Sequence, residues 1–193
     1  MSEVSTSAAP AMIRAARPDD AGLLARWAIA MAWETEHKRL DPDTVARGVR
    51  MVFEQPARGR YFVAERAAGD GMVGDRGVDD HVVDDRSADD HIRDDRVGPV
   101  GMLMLTLEWS DWRCGDWWWI QSVYIDPAHR RQGVYRALYE HVHALAQATP
   151  QVCGLRLYVE RDNANAQRTY ASLGMVDAGY AMFEAEFARH RAL

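Results

Sequence analysis

The chain has 193 residues, 48% of them apolar, and its 23 Lys and Arg against 29 Asp and Glu leave a formal charge of −6. That is core-forming material for one ordinary domain, and no apolar run nears the roughly 18 residues of a helical membrane span. The opening residues lack the basic-then-apolar pattern of a secretory signal, and Cys114 and Cys153 have no metal-ligand spacing, so a cytoplasmic protein with reduced thiols and no bound metal is expected.

A flexible tail over residues 1–11 is expected to precede a short strand at Met12–Ala15. Pro18, Asp19 and Asp20 supply the proline and the negative charge of a helix's first turn, after which Leu23, Leu24, Trp27 and Met31 recur at helical spacing. A second helix is predicted with Asp41 as N-cap and Pro42 as first helical residue, Val45, Val49, Val52 and Phe53 on one face, and Pro56 as its stop. Strands at 61–64 and 100–107 read as the arms of a hairpin whose connection is lengthened by an insertion at 70–98, which loop entropy tolerates because closure cost grows slowly with length. The insertion repeats a five-residue unit, Asp-Asp-His at 79–81 and 89–91 and Asp-Asp-Arg at 84–86 and 94–96. Between Asp70 and Arg96 lie ten Asp and four Arg, so the whole imbalance of −6 resides there and the remainder carries 19 charges of each sign. A period of five builds neither a helical nor a strand face, so the segment is expected to be solvated and disordered, with His81 and His91 at most weak cation ligands. The neutral remainder offers no footprint for nucleic acid.

Residues 117–125 form a third predicted strand, rich in aromatic and β-branched side chains and followed by Asp126 and Pro127. A helix is predicted over 133–147, with Val134, Leu138, Val142 and Leu145 on one stripe. Then come a strand at 155–159, a helix at 164–173 closed by Gly174, and a last alternating strand at 180–187. The order is that of a mixed α/β sheet.

Residues 120–138, IQSVYIDPAHRRQGVYRAL, carry the chemistry, because a buried strand ends in a basic, glycine-containing turn that opens into an amphipathic helix. The unpaired amides and positive dipole of such a helix start can hold a phosphate or diphosphate, Gly133 allows close approach, and Arg130, Arg131 and Arg136 add attraction.

These residues resemble the GNAT superfamily of acetyl-CoA-dependent N-acetyltransferases. Val123-Tyr124-Ile125-Asp126-Pro127 and Arg130-x-x-Gly133 match its cofactor motif, and Asn163-x-x-Ala166-x-x-x-Tyr170-x-x-x-Gly174-Met175 matches a second motif downstream. Tyr135 departs from the family's usual Gly or Ala, so its side chain must point away from the diphosphate or narrow the cleft. The resemblance implies one acetyltransferase domain over residues 12–191, with a mixed, mostly antiparallel sheet flanked by helices. Its fourth and fifth strands splay to admit the pantetheine arm. It also implies a cofactor site made by Val123, Tyr124, Ile125, Arg130, Arg131, Gln132, Gly133, Val134, Tyr135, Arg136 and Asn163, with the Val123 amide facing the oxyanion and Tyr170 as acid.

Acetyl transfer to an amine needs a neutral amine, stabilisation of an oxyanion and a proton for the departing thiolate. The phenol of Tyr170, ordinarily near pKa 10, matches a thiolate in basicity. The position where many relatives carry Glu is Gln121 here, which cannot serve as base, leaving Glu108 as the leading alternative and His129 as a weaker one. Five of the seven tryptophans lie between 109 and 119, and strand alternation sets Trp117 and Trp119 against Trp118. Trp109, Trp119 and Gln121 are expected to line an acceptor pocket, with Glu108 or Asp111 supplying negative charge and Trp27 and Trp33 bordering it, or else the aromatics form a homodimer contact. The expected activity is transfer from acetyl-CoA to a primary amine of a small molecule, amino acid or peptide, by direct attack in a ternary complex. A non-catalytic CoA-binding regulatory or interaction module is the alternative, and neither nucleic acid nor membrane is an expected partner.

Overall fold

The computed structural model describes residues 10–67, 97–185 and 187. The expected tail and Asp-rich insertion therefore lie outside the described residues, apart from positions 10, 11, 97 and 98. Strand β1 (Met12–Ala15) leads through a 3-10 turn at Pro18–Asp20 into helix α1 (Ala21–Glu36), and α2 (Pro42–Glu54) follows. Then come β2 (Arg60–Ala67), β3 (Val97–Ser110), β4 (Gly115–Ile125), α3 (Val134–Gln147), β5 (Val152–Arg156) and α4 (Ala164–Ser172). The five strands lie in the order β1-β2-β3-β4-β5, the first four antiparallel and β5 parallel to β4.

The sheet separates two cores, and strand alternation assigns residues to each. On β2, Phe62 and Ala64 pack with Val134, Leu138 and Val142 of α3, whereas Tyr61 and Val63 pack with Leu24 and Trp27 of α1 and Val49 and Val52 of α2. On β3, Leu103 and Leu105 join the first core and Met102 the second. Helix α2 begins as expected, the Asp41 carboxylate accepting the Thr44 amide at 2.8 Å, and it ends before Pro56. Gly101 is required by space: a Cβ there would come within 2.7 Å of Ile125 Cδ1 and 3.0 Å of the Tyr124 carbonyl oxygen.

Two predicted strands differ from the structure. The strand expected at 155–159 instead runs over Val152–Arg156, because its pairing with β4 starts at Asp116–Val152 and ends at Trp119–Arg156. Residues 157–159 have passed the point where the two strands diverge. The alternating segment at 180–187 forms no strand among the described residues, and Tyr180 and Phe183 are 83% and 94% exposed. Alternation creates a face, but a strand also needs a neighbour to satisfy its backbone. A further feature escapes period-two counting: Leu105 pairs with Ile120 and Met104 with Ser122, so Gln121 is the extra residue of a β-bulge.

Arg14 ties β1 to both neighbours. Its guanidinium donates to both Asp20 carboxylate oxygens, at 2.7 and 3.0 Å, and to Glu65 of β2 at 2.7 Å. Burial alone would raise the Asp20 pKa, but the hydrogen bonds from Arg14 and the Arg17 amide outweigh it, and the carboxyl is held below its ordinary 3.8. A depressed folded-state pKa contributes stability above the unfolded value and loses it as pH falls through the folded one. Asp20→Asn should cost about 1 kcal/mol near neutrality, after allowing for solvent screening. Denaturant melts across pH should show the gap from wild type closing below about 3.8.

Candidate active site

The site follows from the bulge at Gln121. Up to Trp119, β4 hydrogen-bonds to β3 on one edge and β5 on the other. Beyond it, residues 120–125 stay paired with β3 while their other edge faces a gap. This is the splay expected of the fourth and fifth strands, though it opens after Arg156. An unpaired edge of backbone N–H and C=O groups suits an amide-bearing chain laid alongside it as a strand would lie.

At the end of β4 the Asp126 carboxylate accepts the Ala128 amide at 2.9 Å, and Pro127–His129 makes a 3-10 turn. Arg131 and Gly133 then take left-handed conformations, φ +62° and +80°. For arginine such a conformation costs free energy, of order 1–3 kcal/mol, and persists where its surroundings enforce it. At Gly133 glycine is favoured by its φ, since a Cβ there would meet nothing within 4 Å. The first helical bond of α3 runs from the Ala137 amide to the Gly133 carbonyl at 3.0 Å, so the amides of Val134, Tyr135 and Arg136 precede the helical ladder and point outward.

These elements enclose a cleft of about 640 Å³, lined on the cofactor side by Val123, Tyr124, Ile125, Arg130, Arg131, Gly133, Val134, Tyr135 and Arg136. Thus nine of the residues expected there converge on one cavity. Gln132 does not line it: its side chain turns back to Arg66 and donates to the Ala128 carbonyl at 3.0 Å. Asn163 is likewise outside, its side chain capping α4 by accepting the Ala166 amide at 3.0 Å. Arg130 lines the cleft but is tethered, its Nε donating to the Ile125 carbonyl at 3.0 Å and its Nη2 meeting Glu34 at 2.5 Å. Glu34 on α1 also accepts the Tyr124 hydroxyl at 3.1 Å. It joins helix, strand and turn across 96 positions in sequence, and no local pattern announces it.

Tyr170 on α4 does not line the cleft, although its neighbours Thr169 and Ser172 do; it stands against Tyr135, ring centroids 5.8 Å apart and nearly edge to face, and Tyr135 in turn contacts Tyr139. Burial pushes the Tyr170 phenol above its ordinary value of 10, so it keeps its proton through the physiological range. Tyr135 folds back between α3 and α4. Its hydroxyl is buried with no hydrogen-bond partner among the described residues, and burial pushes its pKa up strongly.

Outside the cleft lining, on the sheet face that carries α1 and α2, β3, β4, β5 and the segment after β5 present a second group of residues. Trp119 packs near Tyr158, centroids 6.0 Å apart, and the Gln121 amide donates to the Tyr158 hydroxyl at 2.6 Å. Glu108 pairs in register with Trp117, and its carboxylate accepts Arg156 at 2.6 Å, while the Arg156 guanidinium lies 4.2 Å from the Trp117 ring centre. Six residues of strand separate Trp117 from Val123, roughly 20 Å at strand rise, so Glu108 does not meet Tyr170 or the cleft. Trp109 falls on the opposite face, since Glu108 shares Trp117's side and neighbours along a strand alternate. Trp109 and Trp119 therefore do not line one pocket. Trp27 is buried in the core, stacked obliquely on Tyr124.

Because the Tyr135 hydroxyl is buried and unpartnered, Tyr135→Phe should be neutral or stabilising by about 1 kcal/mol. Tyr135→Ala should cost about 3 kcal/mol by leaving a cavity beside Tyr170. Thermal melts of the two variants check both signs.

Residues 76–175 match the model of the acetyltransferase (GNAT) family. A solved structure of a possible acetyltransferase from Clostridium difficile 630 is 34% identical, with a TM-score of 0.70 over 92% of this chain and 97% of that one. Ribosomal-protein-alanine N-acetyltransferase from Brucella melitensis biovar Abortus 2308 is 13% identical, with a TM-score of 0.60 over 92% and 100%. Aminoglycoside N-acetyltransferase AAC(6')-Iy, solved with CoA, is also 13% identical, with a TM-score of 0.62 over 92% and 95%. At that identity these last two share the fold alone. No protein of curated function matches the sequence significantly. With a splayed mixed sheet, an amide-rich turn at its open end and a family model spanning just over half its length, the chain belongs to the acetyltransferase (GNAT) family.

Proposed function

We propose that the chain transfers the acetyl group of acetyl-CoA to a primary amine of a small molecule, amino acid or peptide, by direct attack in a ternary complex. The observation that carries the reading is the parting of β4 and β5 beyond Trp119 and Arg156, beside outward amides at the start of α3. Acetyl-CoA, when bound, supplies an acyl group activated as a thioester. The free edge of β4 at Val123 and Ile125 would hold its amide-bearing arm, and the amides of residues 131–136 its diphosphate.

With acetyl-CoA bound, the Val123 N–H would donate to the thioester carbonyl oxygen and the Tyr170 hydroxyl would supply the proton for the leaving thiolate. A phenol whose pKa is raised by burial remains charged with that proton at neutral pH, which suits an acid acting on a thiolate of similar basicity. Direct transfer is supported by the cleft's contents. Cys114 and Cys153 lie outside its lining, and the Thr169 and Ser172 hydroxyls donate to the carbonyls of Asn165 and Thr169 in their own helix. Trp119, Tyr158 and Gln121 form the acceptor wall, whose aromatic faces favour an ammonium approaching the splay. Glu108 contributes to that face as a carboxylate neutralised by Arg156, and its distance from Val123 along the strand argues against its acting as base.

Calorimetric titration with acetyl-CoA should give saturable one-site binding, and heats indistinguishable from dilution reject the reading. Tyr170→Phe should lower kcat by about 10²-fold with acetyl-CoA affinity retained, and an unchanged kcat removes Tyr170 as acid. Glu108→Gln should leave the pH-rate profile in place if Glu108 only orders Arg156 and Trp117, whereas loss of the alkaline-rising limb assigns it as the base.

A further inference from the structure

Arg66, near the end of β2, is the one charged residue buried among the described residues, at 7% exposure. Its guanidinium reaches the turn between β4 and α3: Nη1 donates to the Gln132 side-chain oxygen and Nη2 to the Gln132 carbonyl at 2.6 Å. Gln132 donates onward to the Ala128 carbonyl at 3.0 Å. This residue is therefore fixed at three points, between the two left-handed positions Arg131 and Gly133. The adjacent Glu65 is committed to Arg14 on the other side of β2, and among the described residues Arg66 Nε has no hydrogen-bond partner. Among the described residues this buried cation has no carboxylate partner, which is costly, and an anion held on the far side of the turn would offset that cost.

We propose that Arg66 is a positioning residue for the diphosphate turn, setting the affinity for the diphosphate end of acetyl-CoA without touching the reacting atoms. The proposal rests on the acetyl-CoA reading above. The planar fork of arginine matters here, since it holds side-chain and main-chain oxygens of one residue at once, which a lysine ammonium does less well. By fixing Gln132 the fork enforces the left-handed turn, which aims the amides of 131–136 outward. Its charge adds to the positive potential of the α3 start.

The test compares wild type with Arg66→Met and Arg66→Lys in calorimetric titration with acetyl-CoA and in melting temperature. Steady-state rates are measured with acetyl-CoA and with S-acetylpantetheine, a thioester that lacks the diphosphate. Arg66→Met should weaken acetyl-CoA binding and raise its KM by about tenfold or more. It should keep kcat at saturating acetyl-CoA within about twofold and leave kcat/KM for S-acetylpantetheine unchanged. Arg66→Lys should recover part of the lost affinity. An unchanged acetyl-CoA affinity overturns the proposal, and so does an equal loss on both thioesters with a lowered melting temperature, which marks a purely structural anchor. Wild-type protein that fails to bind acetyl-CoA overturns the underlying reading instead, so the two failures are distinguishable.

Discussion

The structure depends on one local irregularity, the bulge that places Gln121 between the Leu105–Ile120 and Met104–Ser122 pairs. A regular β4 would keep its alternation through the sheet and could stay hydrogen-bonded to β5. The extra residue shifts the alternation by one, so Ile120 and Val123, three apart, both face the core under α3 while Tyr124 faces α1. The change of twist that accompanies a bulge turns the end of β4 away from β5. The gap, the free strand edge and the position of the basic turn all follow.

An open edge and an exposed row of amides are unstable arrangements unless their surroundings hold them. Three long-range contacts do so. Glu34 binds Tyr124 and Arg130 from α1, Arg66 grips Gln132 from β2, and Gly101 lets Val134 and Ile125 settle against β3 without a Cβ in the way. Each joins the turn to a different part of the fold, so the turn's geometry is set by the packed sheet rather than by its own sequence.

That division explains what could be read from the sequence. The N-cap at Asp41, the strand at 61–64 and the strand–turn–helix around Gly133 are local patterns with local physics, and the structure carries them as expected. So is the pairing of Arg130-x-x-Gly133 with a buried strand, from which most residues of one wall of the cleft were legible. The bulge was not legible, because an inserted residue in an apolar strand changes no composition and breaks a period by one. The placement of β5 depended on where its partner diverges. Glu34 and Arg66 act over 96 and 66 positions, and Glu108 meets Arg156 only through the register of three strands. For residues 180–187 the alternating pattern specified faces but supplied no partner.

Three departures from local preference lie within or directly behind the turn and the α3–α4 wall: Arg131 with a left-handed backbone and, without a hydrogen-bond partner among the described residues, the Tyr135 hydroxyl and Arg66 Nε; His37, Cys114 and the Trp117 indole nitrogen show the same kinds of departure elsewhere. The two cores on either side of the sheet, by contrast, are aliphatic and aromatic side chains in register. Cores of that kind supply the surplus stability that lets a neighbouring segment hold unfavourable conformations and unmet polar groups. An anion at the turn would answer the buried Arg66 charge and the outward amides together, so ligand binding would relieve part of the cost that the turn bears. The face carrying Trp119 differs, since Glu108 and Arg156 already neutralise each other there and the aromatic rings of Trp119 and Tyr158 lie 6.0 Å apart. In the proposed reading charge favours a diphosphate at the turn, while the aromatic surface and hydrogen-bonded amide of Trp119, Tyr158 and Gln121, outside the cleft lining, would shape the acceptor's approach.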